Sequence, residues 1–389
     1  MKNYDFDEAI LRDGTNSLKW DARERIFGKP DVLPLWVADM DFKTPDFILD
    51  ALRKRLDHEV LGYTFRPDSY FQSIVDWMKQ RHDWAIQKEW ISFSPGVVAG
   101  LNLLIEAFSD EGDEIIIQKP VYFPFFESVT GNKRVVLENP LKLVDGRYTF
   151  DLDDLKTKVT AKTKMLLLCN PQNPGGMVWT REELLPLANF CVEHKILIVS
   201  DEIHSDLIFE GYRHTPVPTL SDAIAQNCVV CMAPSKTFNL AGLTTSFLII
   251  PNKRHWARYE RRLNVPHLHM GNIFGHIGLE TAFSQGEAWR KQLVAYLEAN
   301  FNFMVDYLGE QLPEVKPMKL ESTYLAWIDF SALGLTDEQL HQALLDAGVG
   351  LNKGTQFGKQ GSGFMRLNLG CTRATLEEAL RRMVEVLRK

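Results

Sequence analysis

The stretch Ile196-Leu197-Ile198-Val199-Ser200-Asp201-Glu202-Ile203-His204-Ser205-Asp206 decides the fold. Its first four residues are apolar on every position and rich in β-branching, then the chain turns polar at once. A run that short and that uniformly apolar is a strand buried on both faces. Similar runs recur at Glu114 to Ile117, Arg134 to Leu137, Met165 to Cys169, Val229 to Met232 and Phe247 to Ile250, separated by longer periodic segments. Short buried strands alternating with helices predict an α/β protein: a mainly parallel central sheet flanked by helices. The C-terminal third changes character. A helix is expected over Trp289 to Gln311, alternating strands near Tyr324 to Phe330 and Phe364 to Leu369, and a final helix over Leu376 to Leu387. That third reads as a smaller α+β domain. The expected division is a large domain over 49–287 and a small one built from 1–48 together with 288–389, the N-terminal segment wrapping onto the rest.

The chain has 389 residues with 45% hydrophobic and 24% charged content, so it has ample material for a core. Its formal charge of −7 gives no surplus of cations for neutralising phosphates, and no nucleic-acid partner is expected. The basic stretch Lys253 to Arg262 reads as a solvated helix face. Apolar runs such as Phe247 to Ile250 are far short of a membrane span, and the N-terminus is charged from its start, so a cytoplasmic protein without a membrane partner is expected. Cys169, Cys191, Cys228, Cys231 and Cys371 read as reduced core residues. Cys228 and Cys231 are spaced like a redox or zinc pair, but residues three apart on a strand face opposite sides. His267 and His269 lack an acidic or cysteine partner nearby, which favours packing over metal binding. Phosphate-loop, dinucleotide-fingerprint and His-Glu-x-x-His patterns are absent from the sequence.

Chemistry is marked first by a solitary charge. From Ala223 to Asn252, Lys236 is the only Asp, Glu, Lys or Arg, and it follows a buried run. Burial disfavours an ammonium and leaves a neutral amine able to attack a carbonyl, the state a Schiff-base lysine needs. A lysine that snorkels to water is the other reading of that segment alone. Asp201 falls at the carboxyl end of its strand, where open α/β sheets bind ligands. A carboxylate there could keep a pyridine nitrogen protonated. A third strand ends in Asn170-Pro171-Gln172-Asn173-Pro174-Gly175-Gly176, a tight turn able to aim an amide.

An amide, a carboxylate and an isolated lysine at three strand ends form a constellation that resembles the pyridoxal-phosphate enzymes of the aspartate-aminotransferase fold, over nearly the whole chain. The motif Ser235-Lys236-Thr237-Phe238-Asn239-Leu240-Ala241-Gly242-Leu243 carries the resemblance. It implies pyridoxal 5'-phosphate as cofactor, with Lys236 as Schiff-base lysine, Asp201 on the pyridinium nitrogen, Asn173 on the ring hydroxyl and Tyr122 stacked on the ring. His204 and Ser235 belong to the implied cofactor set. The phosphate site is similar to Ser94-Pro95-Gly96-Val97-Val98-Ala99-Gly100, so Gly96, Val97 and Val98 are expected at the phosphate, consistent with anion binding at a helix start. Tyr63 resembles the tyrosine that reaches the phosphate of a neighbouring subunit, which implies a homodimer with shared sites. Core packing is the alternative for Tyr63 and Tyr122. Arg366, in an apolar strand, suits bidentate capture of a substrate α-carboxylate, with a structural ion pair as its alternative. Ala38 is expected on the substrate side.

The scaffold hosts several reactions. Where many relatives carry a phosphate-binding arginine eight residues after the lysine, this chain has Thr244; where they carry serine or glycine three residues before it, this chain has Ala233. Ser235, Thr244 or Thr245 are the candidate replacements. Trp36-Val37-Ala38-Asp39-Met40-Asp41-Phe42 joins Asp201 to Asp206 and Lys236 to Thr245 in resembling the MalY/PatB-type cystathionine β-lyases and cysteine-S-conjugate lyases. The resemblance implies a small amino-acid substrate and carbon-sulfur β-elimination, with an aminotransferase as the alternative.

Overall fold

The computed structural model describes residues 2–388. Seven strands form the central sheet: β1 (Ile91–Ser94), β2 (Glu114–Ile117), β3 (Val135–Glu138), β4 (Thr163–Cys169), β5 (Leu197–Asp201), β6 (Cys228–Met232) and β7 (Ser246–Ile249). Their order is β1-β7-β6-β5-β4-β2-β3. From β6 to β3 every neighbouring pair is parallel, whereas β7 runs antiparallel to both β6 and β1. Two antiparallel steps restore the direction, so β1 points the same way as β4, β5 and β6. The end of β1 and the start of β7 therefore lie on the edge where the parallel strands finish.

Side-chain alternation divides the core by the two faces of this sheet. Leu166, Leu168, Ile198, Cys228 and Val230 pack into one apolar cluster, and Met165, Leu167, Val199, Val229 and Cys231 into the other. Cys228 and Cys231 thus sit on opposite faces, and all five cysteines are buried free thiols.

Sequence reading placed β2 residue for residue and the other runs of this sheet within two positions, with one omission. β1 is a fully buried strand that the sequence hid, because Ile-Ser-Phe-Ser alternates like a half-exposed one. Its serines are accommodated by one local and one distant bond: Ser94 Oγ donates to Gly96 O at 2.8 Å, and Ser92 Oγ donates to the Glu260 carboxylate. Further along, helix α1 (Asp68–His82) and helix α2 (Val97–Phe108) precede the parallel strands, and α3 (Lys253–Asn264) buries only Tyr259 and Leu263, as a solvated helix should. The long helix α4 (Glu287–Gln311) leads into a four-stranded antiparallel sheet containing Leu325–Asp329 and Phe364–Asn368, and the chain closes with α5 (Arg373–Leu387).

Segment 1–48 carries two short helices, Leu18–Asp21 and Arg23–Phe27, and the strand Leu33–Pro34, which pairs in parallel with Val349–Gly350. The next seven residues have no regular structure. Their carbonyls are held one by one by side chains from distant parts of the chain, Arg366 on Trp36 O at 2.9 Å and Asn368 on Val37 O and Asp39 O at 2.6 Å each. Asn239 completes the clamp, accepting from Met40 N at 2.9 Å and donating to Met40 O at 2.8 Å.

Candidate active site

A cavity of about 160 Å³ opens at the carboxyl edge of the sheet. Each wall follows from the strand directions. Asn173 comes from the turn after β4, Asp201 and His204 from the end of β5, Ser235 and Lys236 from the turn after β6, and Gly96, Val97 and Val98 from the start of α2. Because β7 runs the other way, its approach brings Thr244 and Thr245 to the same edge. Tyr122 and Ala38 complete the predicted residues in the lining. Ala233, noted above as a departure from relatives, also lines it, as do Cys169 and Ala241, which sequence reasoning did not single out as site residues.

Lys236 is half-buried and opens onto this cavity, its Nζ donating to Ala38 O at 2.8 Å. Burial, helped by the nearby Arg366 cation, pulls its amine down to about 8, against the opposing pull of Asp39 and Asp201. Asp201 is buried at 5% exposure, and burial pushes its carboxyl up to about 7. The Ile203 N–H, at 3.2 Å, and the charge of Lys236 restrain that rise, while Glu202 adds to it. Asp201 has no salt bridge among the described residues. His204 is held neutral far below its ordinary value, first by burial and then by the Lys236 and Arg366 cations, and its Nδ1 is buried without a partner.

Asn173 is fixed from three sides. Its N–H meets Cys169 Sγ at 3.4 Å, its carbonyl accepts from Tyr122 N at 3.0 Å, and its Oδ1 accepts from Arg366 Nη1 at 3.1 Å. Arg366 also donates to Trp36 O at 2.9 Å and Asn352 Oδ1 at 2.7 Å, and lies over the Phe357 ring at 4.8 Å. Burial draws its guanidinium down to about 10, and its Nε has no partner. Among the described residues no carboxylate pairs with it, so the structural ion pair weighed for this arginine is not formed.

The α2 N-terminus carries no side-chain cap, and Gly96 before it has φ of 122°, a conformation that favours glycine. Thr244 stands at the position of the missing arginine with φ of 44°, and Thr245 Oγ1 is buried without a partner beside it. Tyr63, by contrast, is not brought to the cavity of its own chain; it is 99% exposed.

Sequence reasoning missed the support beneath the Trp36 to Phe42 segment. Arg12 donates to Asp39 (2.9 and 3.0 Å) and Asp41 (2.7 Å), while the fully buried Lys19 bonds Asp41 at 2.8 Å. Tyr324 OH shares the Ala38 carbonyl with Lys236, at 2.8 Å. The two aspartates inside an apolar stretch, with Arg12 and Lys19 upstream, were the available signal.

These residues fit a flat, doubly charged group. The buried carboxylate lacks a cation, the cation behind Asn173 lacks an anion, and an uncapped helix start with an unpartnered threonine hydroxyl faces the same space. Such surroundings suit a ring with a protonated nitrogen and a phosphate, and leave Arg366 for a substrate carboxylate. Among the described residues no group of three or more His, Cys, Asp and Glu is placed to hold a metal ion, and no helix is long and apolar enough to cross a membrane.

Comparison with known proteins places this arrangement in a family. Residues 30–383 match the family described as aminotransferase class I and II, and the chain belongs to it. Cystathionine beta-lyase PatB of Bacillus subtilis is 46% identical over 384 residues, covering 98% of this chain and 99% of its own. Protein MalY of Escherichia coli is 34% identical, covering 99% of each. The crystal structure of cystalysin from Treponema denticola, which contains a pyridoxal 5'-phosphate cofactor, superposes with a TM-score of 0.96 at 34% identity, covering 100% of this chain and 99% of that one.

Proposed function

We infer that this chain is a pyridoxal-phosphate-dependent carbon-sulfur β-lyase that cleaves L-cystathionine or a related cysteine S-conjugate to a thiol, pyruvate and ammonia. The observation that carries the reading is the cavity that joins a lysine amine of lowered pKa to a buried carboxylate without a counter-ion, in a chain that matches PatB along its whole length. Bound there, pyridoxal 5'-phosphate supplies a conjugated pyridinium ring that takes up the electron pair left at the substrate Cα.

The chain's own residues do the rest. Asp201 accepts the ring N–H through its carboxylate, and that contact restores ionisation to a group that burial alone keeps part-protonated. The N–H groups at the start of α2, with Ser235, Thr244 and Thr245, hold the phosphate without an arginine. Asn173 and Tyr122 fix the ring plane, and His204, kept neutral, packs beside it without adding charge. Arg366 binds the substrate α-carboxylate by its forked donors, and Ala38 borders the substrate on the opposite side. Lys236, whose Nζ stands at the cavity with a lowered pKa, would hold the cofactor between turnovers and, as a free amine, would receive the Cα proton at Nζ. The Cα–H electron pair then expels the Cβ thiolate, and the three-carbon remainder hydrolyses to pyruvate and ammonia.

A homodimer belongs to this reading. Tyr63 lies in an exposed apolar segment with Val60, Leu61 and Phe65, the last 80% exposed, a surface suited to a second copy of the chain. Tyr63 then reaches the phosphate in the partner's cavity. Within each copy the large domain spans 49–287 and the small one 1–48 with 288–389.

The test is to incubate the cofactor-loaded protein with L-cystathionine alone and assay pyruvate and free thiol together. Equal release of both is expected. Release of neither, with turnover only when a 2-oxo acid is supplied, would make the protein an aminotransferase.

A further inference from the structure

A chain of buried polar side chains runs through the protein beside the site and plays no part in the reading above. It starts at Thr237, the residue after Lys236, whose Oγ1 donates to Asp206 Oδ2 at 3.2 Å. Asp206 also accepts from Trp77 Nε1 at 3.0 Å and bonds His82 Nε2 at 3.0 Å, both on α1. The His82 ring meets the His214 ring edge to face, with centroids 5.4 Å apart. His214 Nε2 bonds Glu202 Oε2 at 2.7 Å, and Glu202 is the residue after Asp201. Ser200 Oγ and Val217 N satisfy the other Glu202 oxygen. Each of the five residues from Thr237 to Glu202 is 6% exposed or less.

Two carboxylates and two imidazoles buried away from any cavity wall used in the chemistry are expensive to keep, and apolar residues of similar volume serve packing as well or better. What this series does that apolar side chains cannot is fix directions. Hydrogen bonds set the angle between the turn that carries Lys236 and the loop that follows Asp201. That loop is further pinned to α1, since Trp77 and His82 both bond Asp206, and Arg290 Nη1 holds the Asp206 carbonyl at 3.0 Å.

We propose that the Thr237–Asp206–His82–His214–Glu202 series is a positioning arch that sets the separation and aim of Lys236 Nζ and Asp201, with Asp206 as its keystone. None of its members touches substrate or cofactor; they act through their neighbours in sequence. The inference rests on the roles given above to Lys236 and Asp201.

Thr237→Val removes one hydroxyl at nearly constant volume, Asp206→Asn removes the charge and turns one accepting oxygen into an NH2 donor, and Thr237→Ser retains the donor. In the cofactor-loaded protein, Thr237→Val and Asp206→Asn are expected to lower kcat for L-cystathionine by roughly 10- to 100-fold, as a misplacement near 1 Å does. KM stays within about twofold because Arg366 is untouched. The visible circular dichroism band of the bound cofactor changes in amplitude with kcat, and Thr237→Ser restores both. Variants that lose melting temperature but keep the wild-type kcat and visible band would overturn the proposal, as would a Thr237→Ser protein as impaired as Thr237→Val. Because the band is read on the loaded protein without substrate, the arch can fail while the reaction stands, and a wild-type protein that releases no pyruvate would sink the reaction and leave the arch to be judged by its spectrum.

Discussion

Replacing Asp201 by asparagine should stabilise the cofactor-free protein and abolish its activity. The carboxyl titrates near 7 in the fold and at 3.8 in an unfolded chain, because it is buried without an ion-pair partner and Lys236 only partly offsets that burial. The folded state therefore holds a proton that the unfolded state has released, and stability falls as pH rises from about 4 to about 7. At ~1.36 kcal/mol per pH unit the full loss above pH 7 is roughly 4 kcal/mol. Asparagine has no such penalty and can still accept from the Ile203 N–H. At pH 8 the cofactor-free Asp201→Asn protein should melt about 5 °C above the wild type, given the unfolding entropy of a chain this long. At pH 5 the advantage should shrink to roughly 2 kcal/mol, since most wild-type carboxyls are then protonated in the fold. Adding pyridoxal phosphate reverses the order, as a protonated ring nitrogen supplies the missing cation to Asp201 alone. The assay is a pair of melting curves at pH 5 and pH 8, with and without cofactor, beside pyruvate release. A variant no more stable at pH 8, or a difference independent of pH, would refute the account of Asp201 as a carboxylate that waits for a cation.

Other expectations follow from the same geometry. Arg366→Lys keeps a cation but loses the forked pair, and should raise KM for L-cystathionine roughly 30-fold, the loss of one charge-assisted bond, with a smaller change in kcat; steady-state kinetics decides. Lys236 in the cofactor-free protein should react with an amine-selective reagent with a midpoint at about pH 8, below the ordinary 10.5, the reactive neutral form growing as pH rises; mass spectrometry of the labelled peptide reads it. Lys236→Ala and Tyr63→Ala proteins, each inactive, should regain about a quarter of wild-type activity when mixed, because random pairing in a twofold dimer gives that share of intact sites. No recovery after subunit exchange would place Tyr63 outside the partner's site.

Lys236 was legible because a lone charge in a buried run is a local anomaly, and Asp201 because strand ends in parallel sheets all finish on one edge. Their shared cavity follows from those two facts and the strand order. What the sequence concealed is long-range. Thr244 and Thr245 were reached only through the family resemblance, because their arrival at the cavity depends on β7 running backwards, which no pattern inside Ser246 to Ile249 records. β1 escaped notice because burial of its serines is made tolerable by a turn carbonyl and by Glu260 on α3, and composition reports neither. Arg12, Lys19, Asn239 and Asn368 look like ordinary surface or cap residues until the segment they hold is seen between them. The arch from Thr237 to Glu202 joins residues that are each unremarkable alone, and its length is set by α1, far away in sequence.

The irregular segment from Trp36 to Phe42 leaves the ribosome early, yet its partners come late. Asn239 follows Met40 by 199 residues, Tyr324 follows Ala38 by 286 and Asn368 follows Val37 by 331. Arg12 and Lys19 can reach the Met40 and Asp39 carbonyls at once, but the Trp36 carbonyl has only water to bind until Arg366 emerges. Capture of the Trp36 carbonyl by Arg366, rather than formation of the central sheet, is then the event that completes the chamber, and a nascent protein stalled before residue 366 carries its reactive lysine on a segment not yet held from that side.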